Sequence, residues 1–354
     1  MRSMLVTVAA LVVAVCAPQE NAAAQTIDWS IKRGGSQADG SKVQLTVESR
    51  WNARDESNWS RSYSIGELQG LTSAQVTGPT QQVRFALVRE AGRLDCSGLA
   101  GSLTGSGTCR FAADPAFASY LRGRGIAQPD TRQAFTLTMS GVDRRLIESL
   151  ASFGYARPTV DQLASMGIHG VSADYVRGLA QAGYRLQSAD DLVSFRIHGV
   201  DVEFIRGMAA LGPAFHRLSA SDLVSLRIHG VSPAYVREMA AMGSEFRGLT
   251  AQDLISFRIH GVSPELVRTY ARLSNGPLPR DQVVAMAIHG VSAKYIEEMA
   301  ALGYRDLPAQ QLVTMRIHGV TPQYVRKLQA SGMGRVPADQ LVRLRIAGFD
   351  PAER

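Results

Sequence analysis

Asp222-Leu223-Val224-Ser225-Leu226-Arg227-Ile228-His229-Gly230-Val231-Ser232-Pro233-Ala234-Tyr235-Val236-Arg237 decides the fold, because much of the chain is a variation on it. The tetrad Ile-His-Gly-Val begins at Ile168, Ile197, Ile228, Ile259, Ile288 and Ile317. Its histidines, His169, His198, His229, His260, His289 and His318, are 29, 31, 31, 29 and 29 residues apart. Ser140-Gly141-Val142 and Ala347-Gly348-Phe349 keep the frame and lose the histidine, as terminal capping units do. About eight units therefore fill 135–354, the end units degenerate.

Each unit reads as two short helices. Ser221 and Asp222 can cap the first, whose Leu223, Val224, Leu226 and Ile228 are expected to face inward, and Gly230 stops it. Ser232 caps the second, Pro233 takes its first position, and Tyr235, Val236 and Met239 recur at helical spacing. Helices this short are unstable alone in water, so the units must stack on one another and share a core. An α-solenoid-like array is expected.

Ahead of the repeats, 25–134 reads as a small antiparallel β domain. Lys42 to Ser49 alternates apolar and polar residues, and Gln82 to Val88 does so again. Gly92 to Phe111 reads as a hairpin whose centre, Gly101 to Gly107, is rich in turn formers. Cys96 and Cys109 flank that centre symmetrically, so strand pairing would join them in a disulfide. Asp114-Pro115 opens a short helix, and 123–130 reads as a linker. The expected fold class is α+β in two domains.

The first 24 residues read as a secretory signal. Arg2 is its basic end, Leu5 to Ala17 its apolar core, and Ala22-Ala23-Ala24 its cleavage site. Val15 before Cys16 is a poor match to a lipoprotein signal, so lipid anchoring is not expected. No later segment is long and apolar enough to span a bilayer. A periplasmic or secreted chain follows.

The repeat resembles that of uncharacterised bacterial exported proteins, and also the extracytoplasmic repeats of some membrane metallopeptidases of the BlaR/MecR type. The Gly-rich stretch Gly105 to Phe117, ending in Asp114-Pro115-Ala116-Phe117, matches a segment that often precedes those repeats. The peptidase His-Glu-x-x-His is missing. The resemblance thus implies a sensor or interaction ectodomain without proteolysis.

Several residue series invite a chemical reading. One histidine per unit forms a ladder, since stacked helices lie ~8–10 Å apart and zinc ligands must converge to ~2 Å. No metal or other cofactor is expected, and each imidazole should hydrogen-bond loop backbone or the next unit's cap. Histidine also titrates near neutrality, but nothing here selects a pH-sensing role. Arg196, Arg227, Arg258, Arg316 and Arg345 form one stripe, and Arg177, Arg206, Arg237, Arg268 and Arg326 a second. Guanidinium stripes can bind an anionic envelope polymer or lipid headgroups. They can equally be a solvated face beside Asp190, Asp222 and Asp253, since 141–354 holds 24 Lys+Arg against 20 Asp+Glu. Tyr175, Phe204, Tyr235, Tyr295 and Tyr324 share one position, which Leu266 also occupies, so packing is its expected role. The net charge of +7 on 354 residues is too thinly spread for a dedicated nucleic-acid binder. All histidines but His216 belong to the repeat, and no catalytic constellation stands out. The expectation is a non-enzymatic interaction protein with a protein partner in the envelope.

Overall fold

A computed structural model describes residues 26–52, 55–273 and 278–351. The expected signal segment, with Cys16, lies outside the described residues. The chain is α+β and divides into two compact units. One runs to Arg144 and takes in Thr159–Ala164; the other comprises Arg145–Pro158 and the chain from Ser165.

The first unit is built on one antiparallel sheet of β1 (Thr26–Lys32), β2 (Lys42–Asn52), β3 (Asp55–Ser64), β4 (Leu68–Gln69), β5 (Gln81–Arg89), β6 (Gly92–Gly101) and β7 (Thr104–Ala113). The strand order is β3-β2-β1-β7-β6-β5-β4. Alternation sends Val43, Leu45 and Val47 of β2 and Val83, Phe85 and Leu87 of β5 into the same core. Helix α1 (Ser73–Thr77) adds Val76 to that core, and α3 (Thr131–Ser140) adds Phe135 and Met139. Helix α2 (Pro115–Gly123) lies between β7 and α3 in sequence and starts as expected, with Asp114 accepting from the backbone N–H of Ala116 and Phe117.

Cys96 and Cys109 face each other across β6 and β7 and form a disulfide, their Cα atoms 4.0 Å apart. The turn between these strands is narrower than the sequence suggested. Only Ser102 and Leu103 make it, both at positive φ, which matches the twist of a two-residue hairpin. Gly105 and Gly107 are strand residues instead. A Cβ at Gly107 would lie 2.7 Å from the Trp29 indole nitrogen, which donates to the Ser97 carbonyl at 3.1 Å. The glycines that read as turn formers make room for Trp29.

The repeats follow as helix pairs. Their first helices are α5 (Val160–Ile168), α7 (Ala189–Ile197), α9 (Ala220–Ile228), α11 (Ala251–Ile259), α13 (Arg280–Ile288), α15 (Ala309–Ile317) and α17 (Ala338–Ile346). Their second helices are α4 (Arg144–Ser152), α6 (Ala173–Gln181), α8 (Val202–Ala209), α10 (Pro233–Ala240), α12 (Pro264–Leu273), α14 (Ala293–Ala301) and α16 (Pro322–Leu328). Second helices from α6 to α16 stack each on the next, while α9 packs on α11 and α13, α15 and α17 form a run. The two 31-residue units carry an extra 3-10 turn after their second helix, Pro213–Phe215 and Ser244–Phe246.

Candidate functional site

Every tetrad folds in the same way. The backbone N–H of Val171 donates to the Met166 carbonyl and that of Gly170 to the Gly167 carbonyl, at 2.8 and 3.1 Å. This is a Schellman motif, which satisfies carbonyls that a helix end leaves without partners. The valine bond recurs at 2.8 Å for Val200, Val231, Val262, Val291 and Val320. The motif needs a left-handed residue after the cap, and Gly230, for example, has φ of +67°. Val171 and its equivalents are buried against the cores of their units. Ser172, Asp201, Ser232, Ser263, Ser292 and Thr321 then cap the second helices, each accepting from the N–H three residues on.

The glycine and valine of the tetrad are thus accounted for by the turn. The isoleucine is not. Ile228 was expected inward, yet it is 57% exposed, and all seven equivalents from Ile168 to Ile346 lie between 51% and 64%. The physical reason is the helical period. Leu223 and Leu226 fill the buried face of α9, and Ile228, two residues past Leu226 and so roughly 200° further round the helix, faces the other way. The neighbouring imidazoles also point away from the protein: five are exposed, and His229 is half-buried. None of the six has a hydrogen bond or ion pair among the described residues, so the expected imidazole-to-backbone bonds are not formed. The Schellman bonds have already taken up carbonyls of the helix's last turn, and three of the tetrad carbonyls accept from arginines of the next unit. The result is an edge on which an isoleucine and, in six of seven units, a histidine are presented once per unit.

The first arginine stripe does something the sequence reading missed. Arg196 lies over the Tyr175 ring, Arg227 over Phe204, Arg258 over Tyr235, Arg316 over Tyr295 and Arg345 over Tyr324, at 4.7–5.0 Å from the ring centroids. Each guanidinium therefore caps the aromatic residue of the preceding unit, a cation–π contact. Three of them also donate through Nε to a carbonyl of the preceding tetrad: Arg196 to His169, Arg227 to Gly199 and Arg258 to His229. The bare tetrad glycine leaves room for this, since a Cβ at Gly230 would stand 3.0 Å from Arg258 Nη2.

A signal for this pairing was in the sequence. Leu266 replaces the aromatic residue in one unit, and Ala287 replaces the arginine of the next. Leu146 and Gly167 do the same at the start of the array. Ring and arginine are kept or lost together.

The tyrosines add a second tie. Tyr175, Tyr235, Tyr295 and Tyr324 donate their hydroxyls to the carbonyls of Val200, Val262, Val320 and Phe349, at 2.7–3.1 Å. Burial pushes the Tyr235 and Tyr295 phenols up to about 12, against a smaller downward pull from Arg258 and Arg316, and raises Tyr175 in the same way.

The hollows offer less. One of about 600 Å³ in the array is lined by Tyr184, Arg185, Asp191, Ser194 and Ser225, among others. One of about 450 Å³ on the sheet has Arg84, Arg93, Asp95, Ser97, Thr108 and Arg110 around it. Neither is lined by a histidine, and the cysteines of the second are disulfide-bonded. Among the described residues, no three His, Cys, Asp or Glu side chains converge as metal ligands, and no helix is long and apolar enough to cross a membrane. Comparison with protein-family models and with curated proteins finds no match.

Proposed function

We propose that the chain is an exported, non-enzymatic interaction protein of the bacterial cell envelope, and that its array engages a protein partner through the isoleucine–histidine edge. One observation carries this reading. Seven units keep an isoleucine that is more than half exposed and plays no part in the turn that follows it. Repeated exposed apolar side chains are an interaction surface in waiting, and stacked repeats commonly supply such extended surfaces. Export is supported by the basic-then-apolar start of the chain and by the disulfide, which suits an oxidising compartment.

A second reading has its own observation. Arg206, Arg237 and Arg268 occupy one position in three consecutive units and are exposed, and their side chains have no hydrogen bond or ion pair among the described residues. They suit an anionic polymer or lipid headgroup better than the first stripe, whose guanidiniums are turned onto rings.

Capture from solubilised envelope separates the two. The parent is compared with Ile197→Asn/Ile228→Asn/Ile259→Asn and with Arg206→Gln/Arg237→Gln/Arg268→Gln, at low and high salt. A protein captured at both salts and lost only with the isoleucines supports the edge. Anionic material lost with the arginines and at high salt supports the second reading. Capture indifferent to both variants would sink both.

A further inference from the structure

Resting on the interaction reading above, we propose that the partner of the isoleucine–histidine edge is a second copy of this chain, the two edges meeting about a two-fold axis. Three features point there.

The first is pitch. The units are stacked through their second helices, so the rungs should recur at the ~8–10 Å spacing of packed helices. A partner can engage many rungs only if it offers receiving sites at that same spacing. A second array has it by construction, and an isologous contact uses the same patch on both copies. The ladder has seven rungs, Ile168 to Ile346, so its centre is Ile259. A two-fold axis near Ile259 lets every rung find a counterpart, with Ile168 opposite the far end of the other ladder.

The second feature is area. Seven isoleucines more than half exposed offer on the order of 700 Å² of side-chain surface, close to the ~800 Å² that each partner of a standard interface buries. An edge of this size is large for a monomer to leave in water.

The third is charge and relief. No rung carries a carboxylate or an ammonium group, and the adjoining arginines are folded back over rings in five units. Two copies can approach without carboxylates or guanidiniums meeting on the rungs. At the middle rung no guanidinium covers the glycine, so bare backbone beside Ile259, at Gly261, leaves a gap that the other edge can enter.

Sedimentation and light scattering of the exported, processed chain test this across micromolar concentrations. Twice the chain mass is expected for the parent, and for Arg237→Gln as a control off the edge. Ile197→Asn/Ile228→Asn/Ile259→Asn should run at the single-chain mass, with self-association weakened at least tenfold. A cross-linking arm does not depend on that variant folding. Ile259→Cys should cross-link to itself on mild oxidation, and Ile168→Cys should not. A parent that stays at the single-chain mass overturns the proposal, as does a dimer indifferent to the three asparagines or one in which Ile168→Cys cross-links and Ile259→Cys does not. A single-chain parent whose envelope capture is still lost in the Ile→Asn variant overturns self-pairing alone and leaves the interaction reading standing. Single-chain mass together with unchanged capture overturns both.

Discussion

Leu266 and Ala287 are the most informative residues of the array, because they break its rule together. Everywhere an aromatic ring occupies the Leu266 position, an arginine stands ready in the next unit to cover it. Where the ring is absent, the arginine is absent too. The contact should therefore be measurable as a coupling and not as two separate effects. A double-mutant cycle of Tyr235→Leu and Arg258→Gln is expected to give about 0.5–1 kcal/mol of interaction energy by urea denaturation. The reverse experiment adds the pair. Leu266→Tyr with Ala287→Arg should stabilise the array more than the two changes made singly, and strict additivity would contradict the pairing. The tetrad glycine can be dissected likewise. Gly230 and Gly261 both have positive φ, so alanine at either should cost about 1–2 kcal/mol. Only at Gly230 does the new methyl also meet a guanidinium, that of Arg258. Gly230→Ala should thus cost more than Gly261→Ala, and the gap should close when Arg258→Gln is added.

At the scale of elements, the disulfide hairpin and the repeat frame were both legible, for a shared reason. Symmetry about a turn and recurrence at a fixed interval are properties of residue positions, and they need no knowledge of packing. The Cys96–Cys109 pair, the helix start at Asp114-Pro115 and the second-helix caps such as Ser232 all belong to this class. What escaped depends on which way a side chain turns. Ile228 lies four residues after Val224 in an apolar run and so read as core, yet it is only two residues past Leu226 and points away from the face that Leu223 and Leu226 bury. Arg258 read as a surface charge because its ring, on Tyr235, is 23 residues away in another unit. The glycines of β7 read as a turn because Trp29, which needs their bareness, lies on β1. Each miss concerns a contact between elements. The disulfide gives a prediction at this scale. It closes a short loop between residues 13 apart, for which chain entropy suggests about 3 kcal/mol. Cys96→Ser should lower the thermal midpoint of the sheet, followed by near-UV signal from Trp29, while the far-UV helical signal melts as in the parent. Simultaneous loss of both would mean that the two units unfold as one.

Taken whole, the array is a chain of joints, and four of them are closed by a phenol that donates to the next unit's backbone. This makes the stability of all the stacked units sensitive to alkali. In the folded chain the Tyr235 and Tyr295 phenols hold their protons to about 12, whereas a solvated tyrosine gives its proton up near 10.0. The folded state therefore binds these protons more tightly than the unfolded state. Their contribution is intact below pH 10. It declines as pH rises from 10 towards 12, because the unfolded phenols ionise first and draw the equilibrium with them. A phenolate formed in place would also have no proton to donate, and its charge would face the Val262 or Val320 carbonyl. Far-UV ellipticity and absorbance at the phenolate band, followed together from pH 8 to 12.5, should show ionisation of these tyrosines delayed and then released as helix is lost. A Tyr175→Phe/Tyr235→Phe/Tyr295→Phe variant should begin less stable at pH 8, by about 0.5–1.5 kcal/mol for each hydrogen bond removed. Its stability should then fall less steeply above pH 10. Phenols that titrate near pH 10 with the helices intact would show that these hydroxyls do not hold the units together.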